Sequence, residues 1–156
     1  LTEDPTFSGT KTNVVVNSGN LEIDDSTGIN PTGEYAFNDI VDTGSSRNCR
    51  VTGIRTFTRA YDNGTLLWDA IPQNFDTWPD NFDTWTNENA EFGDVSIIVY
   101  VSATYDDPTG SPTWGSYIPA NGAEIVGRAF RFKVVLSSTN SNFTPSVSAP
   151  SATVEY

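Results

Sequence analysis

The sequence predicts an all-β protein, an antiparallel jelly-roll-like β-sandwich carrying one long aromatic and acidic loop insertion. Three observations predict it. Apolar and polar residues alternate over several segments, the period of a half-buried strand. Clusters of Gly, Pro, Asn, Asp and Ser punctuate those segments. No stretch places its apolar residues at the spacing of an amphipathic helix. Seven or eight strands with turn-rich connections fit a sandwich better than a helical or α/β class.

The elements follow in chain order. Short strands are expected at Asn13 to Asn17, Asn20 to Ile23 and Gly33 to Ile40. Cys49 to Ala60 alternates, with Cys49, Val51, Arg55, Phe57 and Arg59 on one parity, and Asp62-Asn63-Gly64 after it signals a tight turn. Asp94 to Tyr105 is the strongest strand, presenting Val95, Ile97, Val99, Val101 and Ala103 on one face. Glu124 to Ser137 sets Phe130, Phe132, Val134 and Leu136 on one face and Arg131, Lys133 and Val135 on the other. The apolar faces of these two strands are the expected core seam. A last strand is expected over Ala152 to Tyr156.

At 156 residues the chain reads as a single domain, 1–156, able to bury roughly two thirds of its unfolded surface. It begins with Leu1 rather than Met and so reads as a piece or subunit of something larger. No apolar run approaches the ~18 residues of a membrane span, and no basic-then-apolar leader is visible. The net charge of −12 is uneven: residues 60–127 hold eleven carboxylates and no Lys or Arg. That disfavours nucleic acid, whose phosphates are bound by Lys and Arg. Calcium, cationic surfaces and neutral sugars suit such a stretch, as does plain solubility.

Reactive groups are scarce. The chain has no His and one cysteine, Cys49, which excludes a disulfide framework and Cys-rich zinc sites. It also excludes Ser-His-Asp and Cys-His nucleophiles within the chain. Cys49, at the head of a strand, reads as a buried and inert thiol. A glycosidase-type carboxylate pair is the one catalytic class left open. The reading is a non-enzyme, with a carbohydrate-active enzyme as the weaker alternative.

The long insertion, residues 68–93, contains a seven-residue repeat: Trp68-Asp69-Ala70-Ile71, Phe75-Asp76-Thr77-Trp78 and Phe82-Asp83-Thr84-Trp85. Pro72 and Pro79 fall between the units and would each cost a helix ~3 kcal/mol. Three successive turns are expected instead, with Asp69, Asp76 and Asp83 accepting backbone N–H groups and the rings packing inward. Trp78, Trp85 and Trp114 could alternatively stack on sugar rings, with Asp76, Asp83, Asn74 and Asn81 bonding the hydroxyls. Burial as loop anchors ranks ahead of ligand contact. Arg128 and Arg131, with Lys133, Arg50, Arg55 and Arg59, put nearly all the basic charge on two strands. Pairing with the acidic loops ranks ahead of a sugar-carboxylate or subunit face. No cofactor is expected, and calcium held by carboxylates and carbonyls is the metal the acidic middle suits.

Several motifs fall in a recognisable order. Gly33-Glu34-Tyr35-Ala36-Phe37 leads to Asp42-Thr43-Gly44, then come the repeats from Trp68 and the stretch Thr104 to Pro108. Thr113-Trp114-Gly115-Ser116-Tyr117 and Gly127-Arg128-Ala129-Phe130-Arg131-Phe132-Lys133-Val134 follow, and Leu136-Ser137-Ser138 precedes Val147. This order resembles a domain of the tail-tip and host-specificity proteins of tailed bacteriophages. The layout is also similar to galactose-binding-like, discoidin-type jelly rolls, with Thr43 in place of the usual aliphatic residue before Gly44. The resemblance implies a non-catalytic virion module, acting outside the cell at host attachment through a surface glycan. The alternative it implies is an assembly module that contacts neighbouring tail subunits. In either case a homo-oligomer within the assembly is expected.

Overall fold

Along Glu124 to Ser138 the side chains alternate between buried and half-exposed, and this strand lies between two long partners in the sheet. The computed structural model describes residues 1–2, 6–24, 32–62, 95–139 and 143–156. Its elements are β1 (Thr10–Thr12), β2 (Val14–Asn17), β3 (Asn20–Ile23), β4 (Thr32–Asp62), β5 (Val95–Thr104), β6 (Ile118–Pro119), β7 (Glu124–Ser138) and β8 (Phe143–Glu155). They are joined in the order β2-β3-β8-β4-β7-β5-β6, with β1 beside β4, and every pairing is antiparallel. The class read from the sequence, antiparallel all-β, is the class observed. The strand order does not single out a jelly roll among antiparallel sandwiches.

β4 joins the two halves of the sheet. It pairs with β7 from Thr32 to Arg50, then with β8 from Arg50 to Asp62. A strand of 31 residues cannot run flat, and the register with β7 shifts between Ala36 and Ile40 and between Asp42 and Arg47. Such bulges bend and twist a strand. Gly44, at φ 78°, lies inside the second shift, in a left-handed conformation that glycine adopts without strain. The β2–β3 connection is a two-residue loop, Ser18-Gly19, with both φ angles positive, the geometry that matches the twist of a hairpin.

One hydrophobic cluster draws on both halves. Val14, Leu21, Tyr35, Val51, Val101, Phe132, Leu136 and Val147 are all buried within it. Phe7 meets the Tyr35 ring edge-on, with centroids 5.4 Å apart. The Tyr35 hydroxyl accepts the Gly9 N–H at 2.9 Å, and a Cβ on Gly9 would lie 2.0 Å from the Ala36 carbonyl oxygen. Only glycine permits that approach.

The expected seam is present. Val99, Val101, Phe130, Phe132, Val134 and Leu136 are buried, Ile97 packs at the margin and Val95 is half-buried. Gly33 to Ile40 and Cys49 to Ala60, read as two strands, are parts of β4, because the exposed polar residues between them carry no apolar alternation. β8 starts at Phe143 rather than near Ala152, since Pro145 and Pro150 interrupt the strand signal. β1 and β6 give no sequence signal. Residues 63 and 64 of the expected tight turn and the whole 68–93 insertion, with its repeat, lie outside the described residues.

Truncating a central ring tests the seam. Phe132 is 1% exposed, beside Phe37 at 6.1 Å between centroids. Phe132→Ala is expected to lower the unfolding free energy by about 3–5 kcal/mol in urea titration. A loss under about 1 kcal/mol would show that the site collapses around the gap and that the seam is not the core.

Candidate binding site

β5 and β7 pair without a break from Val95↔Ser138 to Thr104↔Ala129. Directly paired residues share a face, so the register that buries Val101 against Phe132 also sets Tyr100 beside Lys133 and Ser102 beside Arg131 on the opposite face. The chain then returns over that second face between β5 and β6. Ser102 donates its hydroxyl to the Gly115 carbonyl at 2.7 Å, and Thr104 donates to the Thr113 carbonyl at 2.8 Å. Both hydroxyls are buried, and these bonds offset the cost of burying them. The Gly115 N–H donates to the Ala103 carbonyl at 2.9 Å.

This return brings two aromatic rings onto the cations of β7. The Arg131 guanidinium lies 4.7 Å from the Trp114 ring centroid and 4.9 Å from that of Tyr117. Lys133 Nζ is 4.6 Å from Tyr117 and 5.8 Å from Tyr100. The result is an alternating row, Trp114, Arg131, Tyr117, Lys133, Tyr100. Each contact adds ~0.5–1 kcal/mol at an exposed site and more where water is excluded. Lys133 also pairs with Glu34 of β4 at 2.6 Å. All three rings are half-buried, anchored on one side and open to water on another. Arg131 Nε is buried and has no hydrogen-bond partner among the described residues.

A second constellation fixes the beginning of the same return. Asp42 Oδ1 accepts the Gly44 N–H at 2.8 Å, an Asx-type turn, and also lies 3.3 Å from Arg128 Nε. Arg128 Nη2 reaches Asp107 Oδ2 at 2.8 Å. Asp107 Oδ1 accepts the Thr109 hydroxyl at 2.7 Å and the Thr109 N–H at 3.0 Å. Asp106 accepts the Thr113 N–H at 2.7 Å. One arginine therefore joins β4, β7 and the crossover.

The charges shift accordingly. Hydrogen bonds from Thr109, then Arg128, hold the Asp107 carboxyl down at about 2. The Gly44 N–H, then Arg128, lower Asp42, and the Asp42 and Asp107 carboxylates raise Arg128. Burial pushes the Cys49 thiol up, as expected of an enclosed and unreactive cysteine.

Among the candidate residues, Trp114, Arg128 and Arg131 lie in the described structure, and only Trp114 and Arg131 stack together. Arg128 belongs to the carboxylate clasp. Trp78, Trp85, Asp76, Asp83, Asn74 and Asn81 lie outside the described residues. Tyr100, Tyr117 and Glu34 are not among the candidate residues, although Glu34 and Tyr117 lie within the ordered motifs. The i, i+2 spacing of Arg131 and Lys133 marks their shared face, but naming Tyr100 requires the β5–β7 register. Among the described residues no group of three or more His, Cys, Asp or Glu is arranged to hold a metal ion. No protein-family model matches the chain, and no curated protein or solved structure matches it.

The clasp predicts a defined acid response. Carboxyls with lowered native pKa values stabilise the fold above the unfolded-state value of about 4. That contribution fades as pH falls and is gone below the Asp107 value of about 2. Asp107→Asn is therefore expected to melt below the native chain at pH 6, with the gap closing between about pH 4 and pH 2. A gap that stays constant across that range would remove the ion pair as its source.

Proposed function

We propose that this chain is a non-catalytic binding module that contacts a glycan through the outer face of β5 and β7. The observation that supports it is the fixed row of half-buried rings, Trp114, Tyr117 and Tyr100, held by interleaved cations. A sugar ring presents C–H groups on its flat face and hydroxyls at its rim. Immobilised aromatic planes suit the first, and Arg, Lys and carboxylate groups suit the second. Rings clamped before binding also lose little conformational freedom when a ligand arrives. The placement of the module in a phage tail, at the virion surface, is supported by the ordered motif set alone. Several of those motifs meet in space: Glu34 with Lys133, Asp42 with Arg128 and Asp107, Trp114 with Arg131. Among the described residues no helix is long and apolar enough to cross a membrane.

An assembly role has its own observation. Val15 and Val16 on β2 are 37% and 38% exposed, and among the described strands β2 pairs with β3 alone. An open apolar edge can accept a strand from a neighbouring subunit.

Calorimetric titration with a panel of bacterial surface oligosaccharides decides between the two. The native chain is expected to bind at least one, and Trp114→Ala is expected to weaken it about ten-fold, the effect of losing one stacking partner of about 1.4 kcal/mol. Absence of binding, together with self-association abolished by Val16→Lys, would favour assembly. Calcium is tested separately. A melting temperature raised by calcium over chelator is the expected result if the acidic stretch holds the ion, and equal temperatures set it aside.

A further inference from the structure

Resting on the glycan-binding reading, we infer that the saccharide is acidic and that its carboxylate is taken by the Arg131 guanidinium. The charges of the outer face can be paired off one by one. Arg128 is matched by Asp42 and Asp107, and Lys133 by Glu34. Arg131 has no carboxylate partner among the described residues. Its neighbours are two rings, at 4.7 and 4.9 Å, and rings stabilise a cation without neutralising it. The hydroxyl of Ser102, its cross-strand partner, is already donated to Gly115. Arg131 Nε is enclosed without an acceptor, so the remaining capacity lies at the two terminal nitrogens.

Those nitrogens form a planar fork whose spacing matches the two oxygens of a carboxylate. Contact with both the Trp114 and Tyr117 rings restrains the guanidinium before a ligand arrives. The charge count selects the anion. One uncompensated cation suits a carboxylate of charge −1, whereas a phosphate monoester carries about −1.5 to −2 near neutrality. Glu34, half-exposed two residues along the same face from Lys133's partner position, would repel a densely charged polymer. The ligand class is thus a uronic or sialic acid flanked by neutral sugar surface, its carboxylate on Arg131 and its ring faces on Trp114 or Tyr117.

The test compares matched pairs by calorimetry on the full chain at low salt: oligogalacturonate against neutral galactose oligomers, and sialyllactose against lactose. At least one acidic member is expected to bind about ten- to a hundred-fold more tightly than its neutral counterpart, the range for a charged hydrogen-bond pair. Arg131→Lys keeps a cation in the row but removes the fork, and it should collapse that ratio toward one. In the native chain, added salt should narrow the ratio as well, a check independent of how the variant folds. Equal affinity for acidic and neutral partners would overturn the inference and leave the glycan reading standing. Absence of binding in both series would overturn both. A ratio unchanged in Arg131→Lys would remove the assignment to Arg131.

Discussion

The pairing of β5 with β7 is the constraint on which both the core and the candidate site depend. Side chains in a strand alternate with a period of two, so a slip of one residue would exchange the faces. If β7 were the strand that slipped, Phe132 and Val134 would turn to solvent and Arg131 and Lys133 would enter the core, while Val101 kept its place. Exposing several large side chains and burying two charges would together exceed the stability of a domain of this size, about 5–15 kcal/mol. Burial thus fixes the register, and the register fixes which residues make the cationic face. The position of Tyr100 beside Lys133 is a consequence of hydrophobic packing on the other side of the sheet.

β5–β7 pairing does not by itself place Trp114 and Tyr117. Those rings arrive on the crossover between β5 and β6, a segment whose β-structure is limited to the two residues of β6. Its path is set at one end by the Arg128 clasp on Asp42 and Asp107 and in the middle by the hydroxyls of Ser102 and Thr104. Exposed ion pairs contribute little singly. Here the carboxylates also accept local N–H and hydroxyl groups, so the same atoms shape the turns they anchor. The segment is held by many modest contacts, and the aromatic row is their geometric result.

Much of the fold is legible in the sequence because its strongest strands are half-buried. Val95 to Ala103 and Phe130 to Leu136 carry an uninterrupted period of two, and β5 and β7 begin and end within a residue of the expected limits. β4 is legible only at its two ends, since its middle is exposed on both sides and broken by register shifts. β8 hides behind its prolines. The site is legible in part for a related reason. Spacing along one strand places Arg131 with Lys133, whereas the Asx turn at Asp42-Thr43-Gly44 appears only in the structure. Partners brought together across 86 residues, such as Asp42 and Arg128, depend on pairing that no local pattern encodes.

The distribution of cations in this acidic chain follows from the same economy. Seven of its eight Lys and Arg residues lie on β4 and β7, the two adjacent strands, and the eighth, Lys11, is on β1 beside β4. The types are not interchangeable along the row. At position 131 two ring centroids lie 4.7 and 4.9 Å from the cation, and a planar, weakly hydrated guanidinium suits contact with aromatic faces. At position 133 the cation meets the Glu34 carboxylate, and a compact ammonium with rotatable donors serves an ion pair at 2.6 Å. An ammonium at 131 would keep the charge but lose the extended planar group that touches both Trp114 and Tyr117. The two ring contacts therefore account for the arginine, and the carboxylate neighbour accounts for the lysine two residues on.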